Sequence, residues 1–309
     1  MLNPRLRSIL KAVYLLAVVG FLGIALASLD YSSLSSLALN PLFVVLATAV
    51  GIAARSNLVL IWHSVLRDFR PPKPINFWRL HQAYARAWMG RYIPGKVVWI
   101  GAKVAFAPQL GLSKSKVAAA TLVESVLQVA LQFFWGLLAL LLVPVVLESG
   151  EIPLLALVAG FALAITAVSP PVLRALLNFA LRLLRKNKLG SEDVPNYASL
   201  LKASLWALAA TAVNGVSYFL LYLSMGQAAS WDALILVVGA TSLAGALGML
   251  AIFAPSGIGV REAALVLFFL QFTSLEVAVL YAVYSRLWSI VADLLFLGFS
   301  EGAARVRAN

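Results

Sequence analysis

Six apolar tracts, each near the length that crosses a bilayer, occupy most of this chain: roughly 12–29, 41–66, 117–147, 152–170, 199–224 and 276–300. A spanning helix needs about 20 mostly apolar residues. Two further apolar regions, 76–111 and 233–272, each carry a break near the middle, "RYIPGK" at 91–96 and "APSGIG" at 254–259. Composition points the same way, with 62% hydrophobic and 12% charged residues. A soluble domain carries about twice that charged fraction. The fold class predicted is therefore an all-α polytopic membrane protein. The tract at 12–29 follows Arg5, Arg7 and Lys11 as a signal peptide would. It is read as a retained first helix, because comparable tracts follow it and no small-residue cleavage site stands out. The chain contains no cysteine, which excludes disulfides, haem attachment and thiolate metal sites.

Loop charge orients the chain. Basic residues cluster before the first span (Arg5, Arg7, Lys11), after the second (Arg67, Arg70, Lys73, Arg79) and before the third (Lys114, Lys116). More lie between the fourth and fifth (Arg174, Arg182, Arg185, Lys186, Lys188, Lys202) and at the end (Arg305, Arg307). The opposite loops, 30–40, 148–151, 225–232 and 272–275, hold no Lys or Arg. Both termini are expected in the cytoplasm, with the chain in a cytoplasmic (inner) membrane. Each broken region must then leave on the side it entered, which makes it a re-entrant helical hairpin bent at its break. One opens to the cytoplasm and the other to the opposite side. The order span, span, hairpin, span recurs in opposite orientation, the pattern of an inverted repeat with its site at the broken helices. The expected organisation is one transmembrane domain, 1–309, with repeats at about 1–147 and 150–301 and a basic cytoplasmic loop over 171–198.

Seven basic residues fall outside those loops: Arg55, Arg86, Arg91, Lys96, Lys103, Arg261 and Arg286. The embedded acids are Glu124, Glu262 and Asp293. An excess of positive charge inside hydrocarbon costs several kcal/mol per charge unless something anionic or aqueous compensates it. Arg55 and Arg86 suit snorkelling as well as function, and Lys103 suits the cytoplasmic mouth. Glu124 suits a structural partner of a hairpin arginine as well as a functional role, and the two are compatible. Arg261 and Glu262, about 100° apart on a helix, are not expected simply to neutralise each other. His63 and His81 read as packing residues. After each break a helix N-terminus exposes backbone N–H groups, approachable at Gly95, Gly257 and Gly259. Arg91, Pro94, Gly95, Lys96, Pro255, Ser256, Gly257, Gly259 and Arg261 therefore form a candidate pocket for an anionic head group. Glu124, Glu262, Arg286 and Asp293 are candidate coupling or structural ion-pair residues.

Three stretches resemble a known family: "GRYIPGKVVWIGAK" (90–103), "GLSKSKVAAATLVESV" (111–126) and "APSGIGVREAALVLFFL" (254–270). They look like motifs of the flippase-like transmembrane region of the lysyl-phosphatidylglycerol synthases and their stand-alone membrane relatives. Family members often have Pro-Gly-Gly where this chain has Pro255, Ser256 and Gly257, and an arginine where it has Lys103; the serine is expected to add a helix-capping hydroxyl. The resemblance implies lipid movement between leaflets, by alternating exposure of the pocket. Candidate cargoes are a phospholipid, an aminoacyl-lipid or a polyprenyl-phosphate-linked sugar. The aminoacyltransferase activity of the synthases is expected to be absent, because the chain ends after its last span. Two other readings stand beside transport. One is an intramembrane lipid-modifying enzyme using Glu124 or Glu262 as base. The other is an accessory subunit docking a soluble or membrane transferase on the basic loop. No cofactor, metal or nucleic-acid partner is expected, since the net charge of +12 reports topology. Without a phosphate-binding Gly-rich loop, ATP is not the expected driver.

Overall fold

The computed structural model describes residues 39–93, 97–142, 154–183, 195–251 and 254–307, and these contain helices and loops but no strand. The helices are α1 (Pro41–Asp68), α2 (Phe77–Met89), α3 (Val97–Ala105), α4 (Ala107–Leu110), α5 (Lys114–Leu142) and α6 (Leu154–Ala167). They continue with α7 (Pro170–Leu183), α8 (Tyr197–Ser224), α9 (Trp231–Leu250), α10 (Val260–Phe269) and α11 (Leu275–Val306). Short 3₁₀ turns follow α2 (Gly90–Tyr92) and precede α10 (Pro255–Gly257). The first apolar tract, 12–29, lies outside the described residues. Side chains at the starts accept the otherwise orphaned N–H groups: Asn40 for α1, Asn76 for α2, Asn196 for α8, Ser230 for α9 and Ser274 for α11.

Five of these helices, α1, α5, α8, α9 and α11, are long and apolar enough to cross a membrane. Two sequence readings change. The region 152–170 is not one straight span, because α6 ends at Ala167 and α7 leaves at a 71° bend. Pro170 has no N–H for the Thr166 carbonyl. Ser169 takes that carbonyl instead, through its backbone N (3.0 Å) and its hydroxyl (2.7 Å). The segment read as basic loop thus begins as a helix, with Leu173 and Leu177 buried and Leu176 and Phe179 exposed. The second change concerns 233–272, whose break is off-centre. Its first arm, α9, has 20 residues and its second, α10, has 10. At about 1.5 Å per residue, α9 alone matches the hydrocarbon thickness of about 30 Å. The arms of the other broken region, α2 with 13 residues and α3 with 9, are both shorter than that.

Packing relates the two halves. The helix α1 packs on α8, while α2 packs on α11 and α9 on α5. Likewise α3 packs on α5 as α10 does on α11, and α1 contacts α2 as α8 contacts α9. Buried apolar side chains form two main clusters. One joins α1 from Val59 onward, α2, the first half of α5, α7 and the start of α8. The other joins the end of α8 with α9, α10 and the first half of α11. Arg55 lies on α1 between Ala47 of the second cluster and Val59 of the first, and Asp293 on α11 lies between Ala292 and Phe296. A polar layer therefore sits where the two apolar cores meet.

Candidate functional site

The two breaks touch each other within that layer. Arg91, in the turn after α2, donates from Nε to Ser256 Oγ at 3.2 Å. Arg286 of α11 donates from Nη1 to the Ser256 carbonyl at 3.1 Å. The Ser256 hydroxyl thus bridges the halves, where a helix-capping role was expected. The backbone here is tightly constrained: Ser256, Gly257 and Gly259 have φ of 50°, 69° and 85°. A Cβ on Gly257 would stand 2.6 Å from Gly248 Cα, so only glycine lets the break press onto α9.

Glu262 and Asp293 organise the cations around this junction. Glu262 Oε2 accepts from Gly259 N at 2.7 Å, closing the start of α10. That N–H was expected to face a ligand, and the chain's own carboxylate occupies it instead. Glu262 Oε1 lies 3.4 Å from Arg261 Nη1 and 3.6 Å from Arg286 Nη1. Adjacent residues on one helix do meet here, contrary to the sequence expectation, because the arginine side chain is long enough to curl back. Asp293 has no solvent exposure and accepts from Arg55 Nε (2.6 Å), Trp88 Nε1 (3.2 Å) and Tyr92 Oη (2.5 Å). Arg91 Nη2 stands 3.5 Å from its other oxygen. Arg55 is therefore a buried partner of Asp293, neither snorkelling nor interfacial.

Aromatic rings hold the guanidinium faces. The Arg91 guanidinium lies 4.5 Å from the Trp88 ring centre, and that of Arg261 lies 5.3 Å from Tyr218. Such contacts hold the guanidinium without cancelling its charge and leave the N–H groups not engaged by Ser256, Asp293 or Glu262 for a planar or tetrahedral anion. Arg261 Nη2 is buried and has no hydrogen-bond partner among the described residues. The side chains of Arg91, Arg286 and Arg261 are 24%, 13% and 10% exposed, so access narrows inward from Arg91.

Glu124 sits apart, in the first apolar cluster. Its partner is Lys103, at 2.5 Å, with both side chains fully excluded from solvent. Lys103 is thus not at a cytoplasmic mouth, and Glu124 does not serve a hairpin arginine. Tyr84 Oη (2.6 Å) and Gln128 Nε2 (2.8 Å) complete the carboxylate, and the rings of Trp62, Tyr84 and Trp99 surround the ammonium. Arg86 pairs with Glu301 on an exposed face, together with Gln82. His81 is packed among Phe77, Trp78, Phe296 and Phe299. Of the residues the sequence nominated, the structure joins Arg91, Ser256, Gly257, Gly259, Arg261, Glu262, Arg286 and Asp293 around one junction. Pro255 lies in the same turn, while Pro94, Gly95 and Lys96 lie outside the described residues. Trp88, Tyr92 and Arg55 were not nominated. For Trp88 and Tyr92 the sequence signal was the need of buried Asp293 for donors, which does not say which donors; Arg55 stood out only as one of the embedded cations.

The fold defines an all-α, multi-pass integral membrane protein with a cationic junction between two broken helices. The model of the lysylphosphatidylglycerol synthase TM region matches residues 8–296. The chain belongs to that family, a membrane domain related to lipid handling. No curated protein and no solved structure matches it.

Proposed function

We propose that this protein is a lipid flippase, moving a lipid with an anionic or zwitterionic head group between leaflets through the junction of the two breaks. The observation that carries the reading is the buried Nη2 of Arg261, which has no hydrogen-bond partner among the described residues, close to Arg91 and Arg286 where they meet Ser256. An unsatisfied buried guanidinium edge costs free energy in the empty protein, and an anionic oxygen there removes that cost. The head group rests on these three arginines while the acyl chains stay in lipid. The matched packing of the two halves supports an inverted repeat, and the short α2, α3 and α10 support re-entrant arms. Rocking one half against the other then exposes the junction to each leaflet in turn. Both carboxylates that an intramembrane lipid-modifying enzyme would use as base are already held by donors, Glu124 by three and Glu262 by Gly259 N and two arginines. These contacts support the transport reading over the enzyme reading.

The test is leaflet exchange of labelled lipids in liposomes holding the purified protein. Wild type should accelerate exchange, and Arg261→Ala should lose it while the protein still unfolds cooperatively, since only the contacts of Arg261 with Glu262 and the Tyr218 ring go with the side chain. Lipids emerging chemically altered without exchange would turn the reading to an enzyme. Exchange untouched by Arg261→Ala would remove the junction from the mechanism.

A further inference from the structure

We infer that the junction is built for a head group bearing two negative charges on phosphate: a phosphate monoester or a diphosphate diester, in preference to a single phosphodiester. The inference rests on the flippase reading and narrows its substrate class. Four guanidiniums, those of Arg55, Arg91, Arg261 and Arg286, share two carboxylates, Asp293 and Glu262. Among the described residues this layer therefore keeps a formal excess of two positive charges. Arg86 and Lys103 do not add to it, since each is paired elsewhere with its own carboxylate.

The two acids are placed so that they do not absorb the excess. Asp293 spends one oxygen on Arg55 and Trp88 and the other on Tyr92, with Arg91 at the longer distance of 3.5 Å. Glu262 gives its short contact to a backbone N–H, leaving Arg261 and Arg286 at 3.4 and 3.6 Å from the same oxygen. Arg91, Arg261 and Arg286 thus have the weaker ionic contacts, whereas Arg55 is closed at 2.6 Å. Arg91 and Arg286 meet on one residue, Ser256, and Arg261 and Arg286 meet on one oxygen, so the three converge. In a low-dielectric layer a mismatch of one charge is expensive. Against the charges of the described residues, a monoanion would leave one positive charge unbalanced there, and a dianion leaves none.

The probes are phosphatidic acid and phosphatidylmethanol, which differ by one methyl on the phosphate. The second phosphate proton leaves near pH ~6, so phosphatidic acid is a dianion at about pH 8 and largely a monoanion at about pH 5. Binding to the purified full chain in nanodiscs of uncharged lipid should favour phosphatidic acid by about tenfold or more at the higher pH. The preference should collapse at the lower pH. Arg286→Gln lowers the excess to one and should reverse the preference toward phosphatidylmethanol, while Arg286→Lys should keep the wild-type preference. Equal binding by wild type at about pH 8 would overturn the inference without any appeal to a variant. Glycerol 3-phosphate should compete weakly; competition at equal concentration would identify the ligand as a soluble phosphate and overturn the lipid assignment. Leaflet exchange with no discrimination between the probes would sink this inference and leave the flippase reading standing, whereas no exchange of any lipid would sink the latter.

Discussion

Replacing Lys103 with methionine tests whether the Lys103–Glu124 pair clamps the first break to α5. Methionine keeps the length of the side chain and its contact with the rings of Trp62, Tyr84 and Trp99. It removes the ammonium 2.5 Å from Glu124 in a site with no solvent exposure. Breaking a buried pair by deleting one partner costs about 3–5 kcal/mol. Tyr84 and Gln128 still donate to Glu124, which keeps the loss toward the lower end, about 3 kcal/mol. Glu124→Gln should cost less, about 2 kcal/mol, because three ring faces continue to hold the ammonium. The double variant leaves no buried charge, so the two losses should not add, and a coupling of about 3 kcal/mol should emerge. Trp62 and Trp99 in the cage make intrinsic fluorescence a direct reporter of unfolding in detergent. At about 2–4 °C per kcal/mol, Lys103→Met should lower the midpoint by roughly 6–12 °C, and Lys103→Met/Glu124→Gln, about 2 kcal/mol below wild type, should recover about a third of that. Additive losses, or a single variant as stable as wild type, would refute the clamp.

Other outcomes follow from the same geometry. Gly257→Ala should destabilise by about 1–3 kcal/mol and impair lipid exchange, because a Cβ meets Gly248 and the residue has positive φ; Gly101→Ala, with open space around it, should be neutral in the same unfolding assay. Arg86→Ala should change the midpoint by less than about 1 kcal/mol equivalent, since the Arg86 side chain is 61% exposed, and leaflet exchange should persist. The cysteine-free chain suits topology mapping. A cysteine at Lys73 or Ser113 should react with an impermeant thiol reagent only from the cytoplasmic side, and one at Ser230 only from the opposite side; any reversal would invert the orientation drawn from loop charge.

Much of the junction was legible in the chain. Pro255, Ser256 and Gly257 mark a place where a helix cannot continue, and Arg261, Glu262, Arg286 and Asp293 are charges too costly to bury without purpose. The pairing was not legible. Arg55 meets Asp293 across 238 residues and Arg91 meets Ser256 across 165, and no local periodicity carries such information. Lys103 was misplaced for the same reason. Its position near basic loops suggested a membrane edge, while α3 turns back and drives it into α5. The bend at Pro170 was misread because hydropathy does not register a missing N–H.

By itself, then, the sequence determined the class, most of the long apolar helices and the location of both breaks, which follow from hydrocarbon excluding unpaired polar groups along a local stretch. Tertiary structure alone decided which cations are neutralised and which stay open. Neutralisation depends on side-chain distances of a few ångströms between helices brought together from opposite ends of the chain. Lys103 and Arg261 are both buried cations on the second arm of a break. One is closed by a carboxylate and three rings, and the other keeps a guanidinium edge without a hydrogen-bond partner among the described residues.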